Sequence, residues 1–161
     1  MSHFIFFVVN LQHRTCIIMS ELISKYEKLN QLIRKYHNES FYSSQPLPRL
    51  IAVSKQQPNE KILNALKLGQ RIYGENKLQD AIKRWSNYLN TYNDLELHYI
   101  GHLQSNKVKK VLDFFDVIHT LDRESLALEI SKHLTSKSKT KSFMIQVNTG
   151  GEKNKSGISL D

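Results

Sequence analysis

LIAVSKQQPNEKILNALKLGQRIYGEN, residues 50–76, sets two short apolar runs on either side of a helical pattern. LIAVS (50–54) and RIYG (71–74) are nearly continuous in apolar character, as expected of strands buried on both faces. Between them the helical stretch opens at Pro58, gathers Ile62, Ala65 and Leu66 on one face, and stops at Gly69. The stretch therefore reads as strand, helix, strand.

The same alternation continues outward. LHYIG (97–101), VIHTL (117–121) and FMIQVN (143–148) read as three further strands. Helical stretches separate them: one with Leu78, Ile82, Trp85 and Leu89 on a face, one from about Ser105 to Phe115, and one from Arg123 to Leu134 with Leu126, Ile130 and Leu134. The expected class is α/β with a parallel sheet. An open doubly wound sheet and a (β/α)8 barrel both use this alternation. Strand starts 20 to 26 residues apart would give eight units in roughly 240 residues, near the usual barrel length. The 161-residue chain supplies about five such units. No glycine fingerprint of a dinucleotide site follows the first strand, and the pattern alone leaves the two architectures open.

Composition narrows the class. Hydrophobic residues make up 40% and charged residues 24%, with six Gly and three Pro, which excludes collagen-like and low-complexity chains. No apolar run approaches the twenty residues of a membrane span. One cysteine, Cys16, cannot close an intramolecular disulfide, so a soluble protein of a reducing compartment is expected. The net charge is +8, which raises the question of a nucleic-acid-binding module. The excess is spread along the chain: residues 1–104 hold 13 basic and 8 acidic side chains, residues 105–161 hold 10 and 7. The densest cluster, Lys132, Lys137, Lys139 and Lys141, has no aromatic residue among its lysines on which bases would stack. It reads as a solvated loop, with a polyanion site as the alternative.

At the start, residues 1–18 form an atypical apolar extension. Its run FIFFVV is shorter than the roughly 7–15 residues of a signal core, and no Lys or Arg precedes it. Translation from Met19 is the plainer expectation, with an amphipathic helix carrying Leu22, Tyr26, Leu29, Ile33 and Tyr36. Residues 19–161 then form the domain. At the other end, NTGGEKNKSGISLD follows the last strand in a loop-like stretch, and the fold reads as unfinished.

In either architecture, chemistry collects where parallel strands end. Those ends are polar here: Ser54-Lys55, Gly74-Glu75-Asn76, Gly101 to Lys107, His119 to Asp122, and Gln146 to Asn148. Lys55 follows an apolar run directly. A lysine at the dry end of a strand loses water around its ammonium, which favours the neutral, nucleophilic amine that forms Schiff bases. The alternative is a lysine that snorkels to water.

IAVSK (51–55), GEN (74–76), HYIGHLQSNK (98–107), IHTLD (118–122), IQVN (145–148) and KSGI (155–158) occur together and in this order. On these six blocks the chain from Met19 onward resembles the pyridoxal-phosphate homeostasis proteins, also called the proline-synthase co-transcribed family. The resemblance implies a partial (β/α)8 barrel like the N-terminal domain of alanine racemase, preceded by an N-terminal helix. It implies that Lys55 carries pyridoxal 5'-phosphate (PLP) as a Schiff base. Asn76 and the loop with His102, Ser105 and Asn106 would line the cofactor's edge, and Lys155 would offer a second amine or a phosphate contact. Each has a plainer reading: Asn76 as a helix N-cap, His102 as a hydrogen-bonding loop residue rather than a general base, Lys155 as a solvated lysine in a mobile loop.

The family implies a non-catalytic carrier of PLP that passes it on, with PLP-dependent apoenzymes as recipients; a cytoplasmic monomer without membrane partners is expected, and a nucleic-acid-binding module is the remote alternative. A racemase-like enzyme is one alternative and a non-functional fragment another. The family continues beyond KSGI with three more strand–helix units, whose Ser- and Gly-rich loops cradle the phosphate and whose arginine meets the pyridine nitrogen. A chain of five strands is accordingly expected to expose an apolar sheet edge prone to aggregation and to bind the cofactor weakly.

Overall fold

The computed structural model describes residues 17–152 and 154–159. The apolar run FIFFVV and Cys16 lie outside the described residues. Five helices and five strands alternate as the sequence predicts: α1 (Ile17–Glu39), β1 (Ala52–Val53), α2 (Asn59–Lys67), β2 (Ile72–Glu75), α3 (Leu78–Leu89), β3 (Glu96–Tyr99), α4 (Val108–Phe114), β4 (Val117–Leu121), α5 (Glu124–His133) and β5 (Ser142–Ile145). A 3-10 turn over Ser105–Lys107 leads into α4. The fold is α/β, an incomplete barrel with five of the eight strand–helix units of a closed one.

Two compact units divide the chain. The first holds α1, β1 and α2. The apolar stripe expected along α1 is buried at Leu22 and Ile33, whereas Tyr36 is exposed. Gln70 ties this unit together from a buried position: its side-chain oxygen accepts from the Tyr26 hydroxyl at 3.2 Å, and its Nε2 donates to the Leu50 carbonyl at 2.9 Å. Gly69 ends α2 as expected, with φ of 88°. The left-handed turn lets Gly69 N–H and Gln70 N–H close onto Leu66 O and Ala65 O.

The second unit holds Ser54–Gln56 and everything from Arg71. Its strands β2, β3, β4 and β5 lie parallel and side by side in chain order, with Tyr73 opposite Leu97, His98 opposite Val117 and Ile118 opposite Phe143. Alternation along the strands then separates two faces. Tyr73, Leu97, Tyr99 and Ile118 are buried. Tyr73 meets Trp85 of α3 at 4.5 Å between ring centroids, and Tyr99 meets Phe115 after α4 at 5.0 Å. On α3 the buried positions are Leu78, Ala81 and Trp85. Ile82, expected on that face, is exposed, because small Ala81 and large Trp85 take the sheet side. Leu134, expected at the end of the α5 stripe, likewise falls outside the helix and is exposed.

The lysine-rich stretch is built rather than merely solvated. Ser138 and Thr140 are buried, and Thr140 donates to Phe115 O at 2.7 Å. Lys139 Nζ donates to Phe114 O and pairs with Asp116, and Lys141 Nζ donates to Ser138 O. Two of the four clustered cations are therefore committed to holding the α4–β4 and α5–β5 connections.

The opposite face carries polar groups. His98 Nε2 lies 2.7 Å from Glu96 Oε1, and its Nδ1 lies 2.7 Å from His119 Nε2. Burial first, and the neighbouring His98 second, hold the His119 imidazole down to about 4 from its ordinary value of 6.5. A histidine depressed in this way stabilises the fold above pH 6.5 and loses that contribution as pH falls toward 4, because the unfolded chain then binds a proton the folded chain refuses. Urea unfolding at pH 7 and pH 4.5 is expected to show this group costing on the order of 1–2 kcal/mol at the lower pH. His119→Gln should show a correspondingly shallower loss.

Candidate functional site

The strand ends of the second unit are tied to one another in order. Ser54 N–H donates to Gly74 O at 3.1 Å, and its hydroxyl donates to Glu75 Oε1 at 2.7 Å. Ile100 N–H donates to Glu75 O at 2.9 Å, linking the end of β2 to the end of β3. Thr120 Oγ1 donates to Gly101 O at 2.6 Å, linking β3 to β4. Gln146 N–H donates to Leu121 O at 2.9 Å, linking β4 to the residues after β5. Every strand end named in the sequence thus joins one continuous polar rim.

Lys55 stands on this rim, immediately after Ser54. Its side chain is exposed, and Nζ makes no hydrogen bond or ion pair among the described residues. The burial expected from its place after an apolar run is not found. The chain turns at once, with Gln56 in the left-handed region at φ of 58°.

Asn76 follows β2 at half burial. It does not cap α3: the N-cap position belongs to Lys77, without a side-chain cap bond. Its backbone is instead packed against β3. A Cβ on Gly101 would stand 2.1 Å from Asn76 O and 2.8 Å from Asn76 Cα, so only glycine permits this approach.

The loop after β3 carries His102, Ser105 and Asn106, all exposed. His102 Nδ1 lies 3.3 Å from Asp122 Oδ2, so the ends of β3 and β4 meet through this pair. Asp122 is buried and is held on its other oxygen by Arg123 Nη1 at 2.6 Å, while Arg123 Nη2 donates to Leu103 O at 2.8 Å. Ser105 and Asn106 sit in the 3-10 turn that begins the α4 segment.

Lys155 lies apart. Its Nζ pairs with Glu152, and no hydrogen bond or ion pair joins it to Lys55, Asn76 or His102 among the described residues. The residues around it are hydrogen-bonded to the end of β5: Gln146 Nε2 donates to Ser156 O at 3.0 Å, Asn148 N–H to Ile158 O and Ile158 N–H to Gln146 O. Gly157, at φ of 131°, lets the segment close over the Asn148 backbone. Beside it Ile145, Val147 and Ile158 are exposed, giving the β5 side an apolar border.

Residues without an assigned role in the sequence hold much of this rim. Glu75 and Asp122 stand among the polar strand ends of the sequence, without a role of their own. Arg84 had no signal, because an arginine on a helix reads as solvated. Among the described residues no group of His, Cys, Asp and Glu is placed to hold a metal, and no helix is long and apolar enough to cross a membrane.

An α/β chain of barrel-type units with a polar rim at its strand ends, and a free lysine on that rim, defines the class. Comparison with known proteins supplies the family. The chain is 36% identical over 143 residues to the pyridoxal phosphate homeostasis protein of Vibrio alginolyticus, covering 88% of this chain and 61% of that protein. With the same-named protein of Vibrio cholerae the identity is 44% over 112 residues, covering 68% and 48%. Among solved structures, PipY of Synechococcus elongatus PCC7942 without PLP superposes with a TM-score of 0.62 at 38% identity, over 68% of this chain and 50% of PipY. The same protein with PLP bound gives 0.50 at 42% identity, over 56% and 43%. No family model matches. These likenesses relate the chain to the pyridoxal phosphate homeostasis proteins, and it spans about half the length of the curated relatives it matches.

The Gly101–Asn76 approach gives a direct check. Gly101→Ala forces two strand ends apart and is expected to cost about 1–3 kcal/mol in chemical unfolding. Ala introduced at Gly150, where the nearest atom to a new Cβ is 3.4 Å away, should change stability much less.

Proposed function

We propose that this chain is a PLP-binding protein of intracellular PLP homeostasis that holds the cofactor as a Schiff base on Lys55. The observation that carries the proposal is the unpaired, exposed amine of Lys55 on the strand-end rim, in a chain related to a protein solved with PLP bound. When bound, PLP supplies an aldehyde that a primary amine captures reversibly. The chain's own donors fit that end of the molecule. Lys55 Nζ, once neutral, adds to the aldehyde carbon; the carbonyl oxygen leaves with two protons as water, and no electrons are exchanged.

Asn76, His102, Ser105 and Asn106 are proposed to line the cofactor's edge, since Asn76 abuts the β3 end that carries the other three. Lys155, already paired with Glu152, is proposed as a contact only after that pair opens. We read the chain as a carrier rather than an enzyme. An amine exposed to solvent favours exchange with incoming amines, whereas carbanion chemistry calls for a water-excluded site. PLP-dependent apoenzymes are the proposed recipients, and a monomer in the cytoplasm the proposed setting.

Two measurements test this. Incubation with PLP, borohydride reduction and peptide mass spectrometry should give a stoichiometric adduct on Lys55 that Lys55→Ala abolishes. Labelling scattered over several lysines in folded protein would overturn the assignment. Mixing the chain, PLP and an amino acid in deuterated water should leave the α-proton in place; its exchange, dependent on Lys55, would replace the carrier by a racemase-like enzyme.

A further inference from the structure

One carboxylate on the rim does more than close a hydrogen bond. Glu75 is buried, with a side chain only 1% exposed. Its Oε1 accepts from Ser54 Oγ at 2.7 Å, from Arg84 Nη1 at 2.8 Å and from Trp85 Nε1 at 3.3 Å, while Oε2, also buried, has no hydrogen-bond partner among the described residues. Arg84 Nη1 donates as well to the carbonyl of Ser54. Ser54 is therefore gripped at all its polar groups: N–H by Gly74 O, hydroxyl by Glu75, carbonyl by Arg84.

We propose that Glu75 and Arg84 form a clamp that positions Lys55, one peptide bond beyond Ser54, for attack on the aldehyde of PLP. The proposal rests on the reading of Lys55 given above and extends it to two residues outside the set proposed to line the cofactor.

Two physical arguments support the clamp. A buried ion pair adds little net stability, because desolvation offsets the attraction, and apolar residues of similar volume serve a core equally well. An arrangement that leaves one carboxylate oxygen unpaired is poorer still as a stabiliser. What the pair does supply is direction, since one guanidinium nitrogen bridges a side-chain oxygen and a main-chain oxygen. The second argument concerns the turn. Lys55 has no side-chain partner among the described residues, and Gln56 occupies a left-handed backbone region that is unfavourable for a non-glycine residue. Such a turn persists only where its flanks are held, and on the Lys55 side the holding passes through Ser54. The result is an amine with a fixed root and a free tip, which is what addition to an aldehyde needs.

The test uses the full chain with two variants. Glu75→Gln keeps the shape and an acceptor oxygen but removes the charge that holds Arg84. The double variant Glu75→Leu/Arg84→Met replaces the clamp by apolar packing. Three readouts are taken: thermal unfolding, amide hydrogen exchange of the peptide covering residues 52–58 without PLP, and the rate of borohydride-trapped adduct at Lys55 with limiting PLP. For the double variant, melting near that of the wild type is expected, with faster exchange confined to 52–58 and trapping slowed about tenfold or more. Glu75→Gln should fall between the two. Wild-type exchange in 52–58, or trapping that falls only in proportion to the folded fraction, would overturn the clamp. If the wild type itself shows no adduct on Lys55, the PLP reading fails separately; the exchange arm then still decides whether Glu75 and Arg84 hold the Lys55 turn.

Discussion

The junction at the end of β2 is the point on which the rim depends. Within three residues, Gly74 accepts from Ser54, Glu75 accepts through its side chain from Ser54, Arg84 and Trp85 and through its carbonyl from Ile100, and Asn76 lies against Gly101. Side-chain and main-chain acceptors act there in different directions, one toward Lys55 and the other toward the His102 loop. The fold uses the segment as a hub because β2 has β3 as a parallel neighbour and α3 after it, and Gly101 leaves room where the backbones come nearest.

The polar strand ends and the apolar strand bodies serve opposite requirements. Trp85, Tyr73, Phe115, Leu97 and Leu112 are fully buried on the helix side and supply the adhesion. The other face carries Glu96, His98 and His119 in hydrogen-bonding contact, groups that a purely stabilising core would avoid. The second unit therefore divides its sheet between an apolar face against the helices and a polar face.

The strands and helices were legible because their signals are local. Pro58, Gly69 and the runs around VIHTL announce their elements without reference to anything distant, and the family blocks then chose the barrel over the open sheet. Arg84 and the KSKTK stretch were not legible, because their roles depend on partners far along the chain: Arg84 acts on Ser54, and Lys139 and Thr140 act on Phe114 and Phe115. The left-handed turn at Gln56, next to Lys55, is likewise signalled by no residue preference. Periodicity locates a side chain on an element; it does not say which carbonyl that side chain will reach.

Trp85 gives the rim an optical consequence. It is the chain's single tryptophan, it is fully buried, and its indole N–H points at the Glu75 carboxylate. Indole emission responds to charge placed along the ring, so tryptophan fluorescence from this chain originates at one site and reports the electrostatic state around the Glu75 carboxylate. The protein carries an intrinsic probe of its own hub, without a label.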